Sequence, residues 1–263
     1  MITLQQAIEQ AKDAGNKAFV PYIMAGDGGL STLQPTIISL QKMGVTAIEV
    51  GIPFTDPVAD GPTIEQAGAR ALAQGVTLRN VLAALASFRQ EITVPLVVMT
   101  YFNPVLAYGL EEFARACVAG GVKGLIVPDV PLEESAILRQ TLNPYGVDIV
   151  QLVSLTSPPA RIARIAAASQ GFVYAVTVNG ITGARASFAD DLEGHFERLR
   201  EMCHIPVLAG FGISTPEQVV SMGALGDGVI VGSAIVTALH EGNVAKVEAL
   251  VAASKGLMEK SPL

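Results

Sequence analysis

A short apolar run, often preceded by a glycine, recurs along the whole 263-residue chain. Gly44, Gly121 and Gly146 each stand at the end of a helix-like segment, just before such a run. A glycine beyond a helix end supplies a left-handed cap, and a continuous apolar run is typical of a strand buried on both faces. The chain is therefore predicted to alternate helices with buried strands.

The strands predicted from this repeat number eight. They are residues 18–24, 47–51, 96–101, 124–128, 149–155, 172–176, 206–210 and 229–232. Strands that alternate with helices pair in parallel through right-handed crossovers, and eight such units in this length fit a closed barrel. We predict an α/β fold, a parallel eight-stranded (β/α)₈ TIM barrel in one domain over residues 1–263, with a long loop after strand two.

An open, doubly wound sheet is the alternative fold. Such sheets usually carry a GxGxxG fingerprint after the first strand, whereas this chain reads AGDGG at residues 25–29. The predicted helices include an extra amphipathic one at the N-terminus, residues 1–12, which does not resemble a signal peptide. The others are exemplified by residues 110–120, 132–142, 159–168 and 189–203.

Charge and composition exclude several classes of protein. The net charge of −7 and pI of about 5.0 do not suggest a nucleic-acid surface, which needs a basic patch. No stretch approaches the roughly 20 apolar residues of a membrane span. Cys117 and Cys203 lie in predicted helices, far apart and in no CxxC pattern, so they are interpreted as reduced thiols of a cytoplasmic protein.

The connection from Gly51 to Leu96 is much longer than a standard βα unit. Its first part contains Pro53, Pro57 and Pro62, which forbid a regular helix there. A long rigid loop at the carboxyl end of a barrel strand is where this fold places catalytic groups.

Glu49 lies inside the predicted strand 47–51. A carboxylate in a buried strand needs a partner or stays protonated. One interpretation is a structural acid paired across the sheet. The other is a general acid/base near the barrel mouth, where partial desolvation raises its pKa toward neutrality.

Asp56 and Asp60 follow Glu49 on the loop. Asp beside Pro or Gly is common turn chemistry, and Asp56 is interpreted in that way. Asp60 precedes Gly61 and is predicted to fold back over the mouth. Two carboxyls in different environments, one on a strand and one on a loop, are the pattern that separates acid and base roles.

A phosphate site is indicated by the last two strand ends. Strand seven runs into GFGI at residues 210–213 and a capping-box pattern at 214–217, and strand eight ends at Gly232 and Ser233. Glycine lets backbone N–H groups approach an anion, and the loops after strands seven and eight form the usual phosphate site of such barrels. The loop 179–183 is predicted to close over the same site. Simple turn glycines are the alternative interpretation.

A metal site is not expected. The three histidines, His195, His204 and His240, show no ligand spacing and are predicted to lie on helix surfaces or ends. There is also no GxSxG nucleophile motif and no GxxxxGK[ST] run.

The run EVGIPFTDPVADGPTI at residues 49–64 closely resembles the signature of the tryptophan synthase α-subunit family. The resemblance extends along essentially the whole chain. Further matching stretches are FVPY at 19–22, YFNP at 101–104, DVPLEES at 129–135, GITG at 180–183, GFGIS at 210–214 and GSAIV at 232–236. Two places depart from many members: residues 176–179, and Gly28, where proline is usual.

The resemblance implies a (β/α)₈ barrel that splits indole-3-glycerol phosphate into indole and glyceraldehyde 3-phosphate by a retro-aldol reaction. It places the catalytic carboxylates at Glu49 and Asp60. The substrate-binding residues it implies are Tyr22, Tyr174, Thr182, Gly183, Gly212, Gly232 and Ser233. The chain itself would need no cofactor. Its implied partner is a β subunit that carries pyridoxal phosphate, in an α₂β₂ heterotetramer of the cytoplasm.

Three other functions are compatible with the sequence. Another phosphate-binding barrel is one, although indole-glycerol-phosphate synthases use lysines on barrel strands and no predicted strand contains one, while epimerases of this type commonly need metal ligands. The second is an activator module that mainly docks on a β-type partner. The third is a stand-alone lyase that releases free indole.

Overall fold

The computed structural model describes residues 2–177, 185–210 and 212–257, with the backbone alone for residues 185–191. Within these residues there is one parallel sheet of nine strands. The strands are β1 (Ala18–Met24), β2 (Ile48–Gly51), β3 (Leu96–Met99), β4 (Val122–Ile126), β5 (Asp148–Ile149), β6 (Gln151–Ser154), β7 (Val173–Val176), β8 (Val207–Gly210) and β9 (Gly228–Val231).

Helices surround this sheet. They are α1 (Leu4–Asp13), α2 (Leu33–Met43), α3 (Pro62–Ala73), α4 (Leu78–Ser87), α5 (Phe102–Tyr108), α6 (Leu110–Gly120), α7 (Ala136–Leu142), α8 (Pro159–Ala168), α9 (Arg185–Met202), α10 (Pro216–Leu225), α11 (Ser233–His240) and α12 (Val244–Ser254). Short 3₁₀ turns occur at Leu30–Thr32, Arg89–Glu91 and Asn143–Tyr145.

The sheet closes into a barrel because its two end strands, β5 and β6, are consecutive in the chain. The strand order is β5-β4-β3-β2-β1-β9-β8-β7-β6, so β5 and β6 stand at the two ends although only Val150 separates them in sequence. The Val150 N–H donates to the Leu125 carbonyl at 3.0 Å, which continues the pairing with β4. β5 and β6 are therefore two parts of one strand, and the predicted eight-stranded parallel barrel is confirmed over the open sheet.

The barrel interior is filled by apolar side chains, as the alternation of each strand requires. Inward-facing residues such as Val20, Val97 and Leu208 form one cluster with Leu4 and Ile8 of α1. Both α1 residues are buried, and burying an aliphatic side chain stabilises a fold by about 1.5–3 kcal/mol. The predicted extra N-terminal helix thus covers the amino-terminal end of the barrel.

Glycines at the predicted helix ends adopt the expected left-handed conformation. Gly44, Gly121 and Gly146 have φ of 80°, 75° and 70°. Gly28, where the family usually has proline, has a φ of 88°, which a proline ring cannot adopt. The loop after β1 therefore has a backbone conformation at Gly28 that glycine can adopt and proline cannot.

Several element boundaries differ from the predictions. α7 begins at Ala136, not at residue 132, because Glu134 and Ser135 donate to Pro131 and Leu132 in three-residue turns. α9 begins earlier than residue 189 and ends at Met202, which leaves Cys203 just outside the helix. β4 begins at Val122, so one strand does contain a lysine, Lys123, at the end opposite the mouth.

The histidines and cysteines differ in burial. His195, predicted on a helix surface or end, is buried on α9, and neither ring nitrogen has a partner among the described residues. His240 does end α11, and His204 is exposed beyond α9. Cys117 is buried and Cys203 half-buried, and both are free thiols. None of the described helices has the length and apolar character needed to cross a membrane.

The long connection after β2 is irregular where prolines were expected to prevent a helix. Residues 52–61 form no regular element, with Pro53 and Pro57 inside that stretch. Pro62 then occupies the first position of α3, which tolerates proline because its N–H has no helical partner. The loop lies at the carboxyl end of β2 and brings its last residues back over the barrel.

Candidate active site

A cavity of about 400 Å³ opens at the carboxyl ends of the strands. All of the predicted site residues that the structure describes line it. Thr182 and Gly183, and the whole predicted loop 179–183, lie outside the described residues. The cavity is lined by Tyr22, Glu49, Ala59, Asp60, Gly61, Ile64, Met99, Tyr174, Gly212, Ile213, Ser214, Gly232, Ser233 and Ala234.

Glu49 is held by β2 with its side chain toward the barrel axis. It pairs in register with Tyr22 on β1 and with Val97 on β3, and only 2% of its surface is exposed. Its Oε2 atom has no hydrogen-bond partner among the described residues. Burial, and secondarily the charge of Asp60, raise the pKa of Glu49 from 4.5 to about 8.

Asp60 is held by the loop after β2 and is half-buried. The Tyr101 hydroxyl is hydrogen-bonded to its carboxyl group and also accepts the Ala59 N–H at 3.0 Å. Burial raises the pKa of Asp60 to about 6. The Tyr101 hydrogen bond opposes that rise, and the charge of Glu65 adds to it.

The two carboxyl groups therefore differ in protonation at neutral pH. With pKa values of about 8 and about 6, Glu49 is mainly protonated at pH 7 and Asp60 mainly ionised. A proton donor and an anionic acceptor then face one cavity, which is the arrangement that separates acid and base roles.

Two tyrosines line the cavity, and each covers a glycine of the next strand. A methyl group added to Gly51 would lie 1.9 Å from the Tyr22 hydroxyl oxygen, and one added to Gly210 would lie 2.2 Å from the Tyr174 ring. Each ring therefore occupies space that is available only because the neighbouring residue is a glycine. Burial raises the pKa of both phenols, which keeps them protonated.

The far end of the cavity offers backbone donors. α11 begins at Ser233, which lines the cavity, and the first turn of this helix has no side-chain cap. Gly212, with a φ of 76°, brings the backbone after β8 to the same place. An uncapped helix start beside glycines is a favourable anion site.

α10 shows the opposite arrangement at its start. Thr215 is its N-cap and forms a capping box with Gln218, one residue later than the predicted box at 214–217. The side chain of Gln218 accepts the N–H groups of Ser214 and Thr215. These donors are therefore already used, whereas the first turn of α11 has no side-chain cap.

Tyr101 was not predicted as a site residue, although the chain motif YFNP placed it at the end of β3. It stacks on Phe54 at 5.2 Å between ring centroids and anchors the loop at Ala59. Asp56, interpreted as a turn former, is exposed and accepts the Thr55 hydroxyl at 2.7 Å. Among the described residues no cluster of His, Cys, Asp and Glu has metal-binding geometry.

Comparison with known proteins gives consistent matches over almost the whole chain. The family model described as "Tryptophan synthase alpha chain" matches residues 8–261. A tryptophan synthase alpha chain of Bacillus mycoides is 50% identical over 89% of this chain and 91% of its own length. One of Bacillus cereus is 46% identical over 95% of this chain and 97% of its own.

Solved structures agree with these relatives. A ligand-free tryptophan synthase structure from M. tuberculosis matches with a TM-score of 0.85 and 34% identity, covering 95% of this chain and 96% of that one. The tryptophan synthase subunit alpha of Legionella pneumophila matches with a TM-score of 0.87 and 30% identity, covering 97% and 99%.

Proposed function

The chain belongs to the tryptophan synthase alpha chain family, and from that premise we propose that Glu49 and Asp60 carry out its lyase reaction. The reaction is the retro-aldol cleavage of indole-3-glycerol phosphate to indole and glyceraldehyde 3-phosphate. The observation that supports this assignment is that two carboxyl groups of different pKa face one cavity whose far end offers free backbone N–H groups.

Breaking the bond between indole and glycerol requires a leaving group that accepts the bonding electrons. Protonation of indole C3 produces an indolenine, which accepts them. Glu49 is mainly protonated at neutral pH and supplies that proton. The resulting carboxylate then takes the proton of the glycerol hydroxyl as the aldehyde forms, so the acid returns to its starting state.

Asp60 stabilises the positive charge that develops on the indole nitrogen. Its ionised carboxylate accepts a hydrogen bond from the indole N–H, and this bond strengthens as C3 is protonated. The hydrogen bond from Tyr101 holds the carboxylate in place and favours its ionised form.

The substrate phosphate binds at the opposite end, on the backbone of Gly212, Gly232 and Ser233. The uncapped start of α11 favours the negative charge. Tyr22 and Tyr174 bind the aromatic part of the substrate. Thr182 and Gly183, outside the described residues, are proposed as further substrate contacts.

The partner is a β subunit that carries pyridoxal phosphate and takes up the indole, in an α₂β₂ heterotetramer. The α chain holds no cofactor of its own. A cytoplasmic location is supported by the two free thiols. One barrel sheet that runs through residues 18–231 supports a single domain over residues 1–263.

The decisive experiment is an indole-release assay with indole-3-glycerol phosphate, with and without a β-type subunit. Glu49→Gln and Asp60→Asn are each expected to lower turnover by about 10²–10⁴-fold with unchanged circular dichroism. Near-normal cleavage by a folded Glu49→Gln protein would remove Glu49 from the mechanism.

The same assay tests the activator module. If Glu49→Ala abolishes cleavage and still stimulates the β subunit, the chain has both roles. A wild-type chain that never cleaves, alone or in the complex, would favour the module alone. A lysine-dependent mechanism has little support, because Lys123 lies at the opposite end of β4 from the mouth.

A further inference from the structure

The side chain of Tyr22 gives its hydroxyl group, as well as its ring, a defined place in the cavity. Its Cβ lies near Gly232, where a methyl group would approach it to 3.8 Å, and its hydroxyl lies against Gly51. The ring therefore runs along the cavity wall from the phosphate end to the carboxyl end. Its hydroxyl lies against β2, the strand that carries Glu49, and Tyr22 lines the same cavity as Glu49 and Asp60.

The Tyr22 hydroxyl is a donor without a protein acceptor among the described residues, on a side chain that lines the cavity. Tyr22 is 5% exposed and lines the cavity, yet no hydrogen bond joins its hydroxyl to Glu49 or Asp60. Asp60 is engaged by Tyr101 instead. A buried phenol normally finds a hydrogen-bond partner, and the remaining direction for this one is the cavity.

We propose that the Tyr22 hydroxyl donates a hydrogen bond to a glycerol hydroxyl of the substrate and so selects for the polyol chain. This proposal rests on the proposed function, because it assumes a substrate with its phosphate at Gly232 and its indole beside Glu49. In that placement the glycerol carbons join the two ends, and the carbon attached to indole C3 comes beside β2, where the Tyr22 hydroxyl also ends.

The chemistry of the hydroxyl suits this role. Burial and the neighbouring carboxyls raise the pKa of Tyr22 well above its ordinary value, so the phenol remains a donor throughout the working pH range. A phenylalanine would fill the same space and cover Gly51 equally well. The oxygen atom is therefore the feature that distinguishes a substrate with hydroxyls from one without them.

The test compares two ligands that differ only in those hydroxyls: indole-3-glycerol phosphate and indole-3-propanol phosphate. Calorimetry measures both affinities in the assembled complex with the β subunit, using Glu49→Gln protein so that the substrate is not consumed. Adding Tyr22→Phe is expected to weaken the glycerol phosphate about tenfold and the propanol phosphate less than twofold.

Equal weakening of both ligands would show that Tyr22 acts by packing alone and would overturn the proposal, as would no weakening of either. Tyr145→Phe is the matched control, since it removes a phenol oxygen that is bonded to Glu111 outside the cavity. A failure of the proposed function is recognised separately, by absence of cleavage in the wild-type complex.

Discussion

The Tyr101 hydroxyl donates a hydrogen bond to the Asp60 carboxyl group and accepts one, at 3.0 Å, from the N–H of the preceding residue, Ala59. Tyr101 follows β3, and Asp60 belongs to the loop after β2. One phenol therefore fixes both the backbone and the side chain of the loop that completes the cavity.

Removing this phenol should affect both the rate of catalysis and the pKa of Asp60. Tyr101→Phe is expected to lower kcat/KM about tenfold through loss of positioning. It should also raise the pKa of Asp60 above about 6, because the hydrogen bond from Tyr101 lowers that pKa in the wild type. The measurement is the acidic limb of the kcat/KM–pH profile. A loss of rate with an unmoved limb would mean that Tyr101 is only structural.

The wild-type kcat/KM is expected to be bell-shaped in pH. Below about 6 Asp60 becomes protonated and no longer accepts the indole N–H, and above about 8 Glu49 loses the proton that it must donate. Activity should therefore be highest between these values. A flat profile from pH 5.5 to 9 would contradict the assignment of the two roles.

Glu49 should lower the stability of the fold at neutral pH. In the unfolded chain its pKa is near 4.5 and in the folded chain about 8, so between these values the folded state retains a proton that the unfolded state releases. Stability of the wild type then falls as pH rises through this window. Glu49→Gln removes the effect and is expected to stabilise the protein by about 1–3 kcal/mol at pH 7.

Urea unfolding at pH 5 and pH 7 measures this difference. The gain from Glu49→Gln should be clearly smaller at pH 5, where the unfolded carboxyl is only partly ionised. An equal gain at both pH values would point to a cause other than titration of Glu49.

Gly51 should tolerate no side chain. An alanine Cβ would lie 1.9 Å from the Tyr22 hydroxyl oxygen and would push the ring tip into the cavity. Gly51→Ala is expected to lower kcat/KM about 100-fold, since small misplacements in a site have effects of that size. Gly194→Ala, on a helix with room for the methyl group, is the control and should retain activity.

Gly232 offers a milder test of the phosphate end. An alanine Cβ there would meet nothing closer than the Tyr22 Cβ at 3.8 Å, and its φ of −100° suits an L residue. The fold should therefore survive, while the methyl group obstructs an approaching phosphate. Gly232→Ala is expected to raise KM about tenfold with kcat within twofold. Unchanged KM and unchanged inhibition by inorganic phosphate would place the phosphate elsewhere.

The sequence by itself determined the barrel and its catalytic candidates. The repeated glycine and apolar run predicted each strand position, because a parallel sheet covered by helices needs strands that are apolar on both faces. Glu49 was conspicuous for the same reason, since a carboxyl group in a buried strand needs a partner or stays protonated. The prolines of residues 52–61 likewise predicted an irregular loop after β2.

Only the tertiary structure decided which groups meet. Tyr101 is far from Asp60 in sequence, and its hydrogen bond depends on the loop folding back across the mouth. Tyr22 and Gly51 likewise meet only because β1 and β2 pair, which lays the phenol of one strand against the glycine of the next. Contacts of this kind and the desolvation that sets the pKa of Glu49 arise only when distant segments pack together, so a local pattern of residues does not contain them.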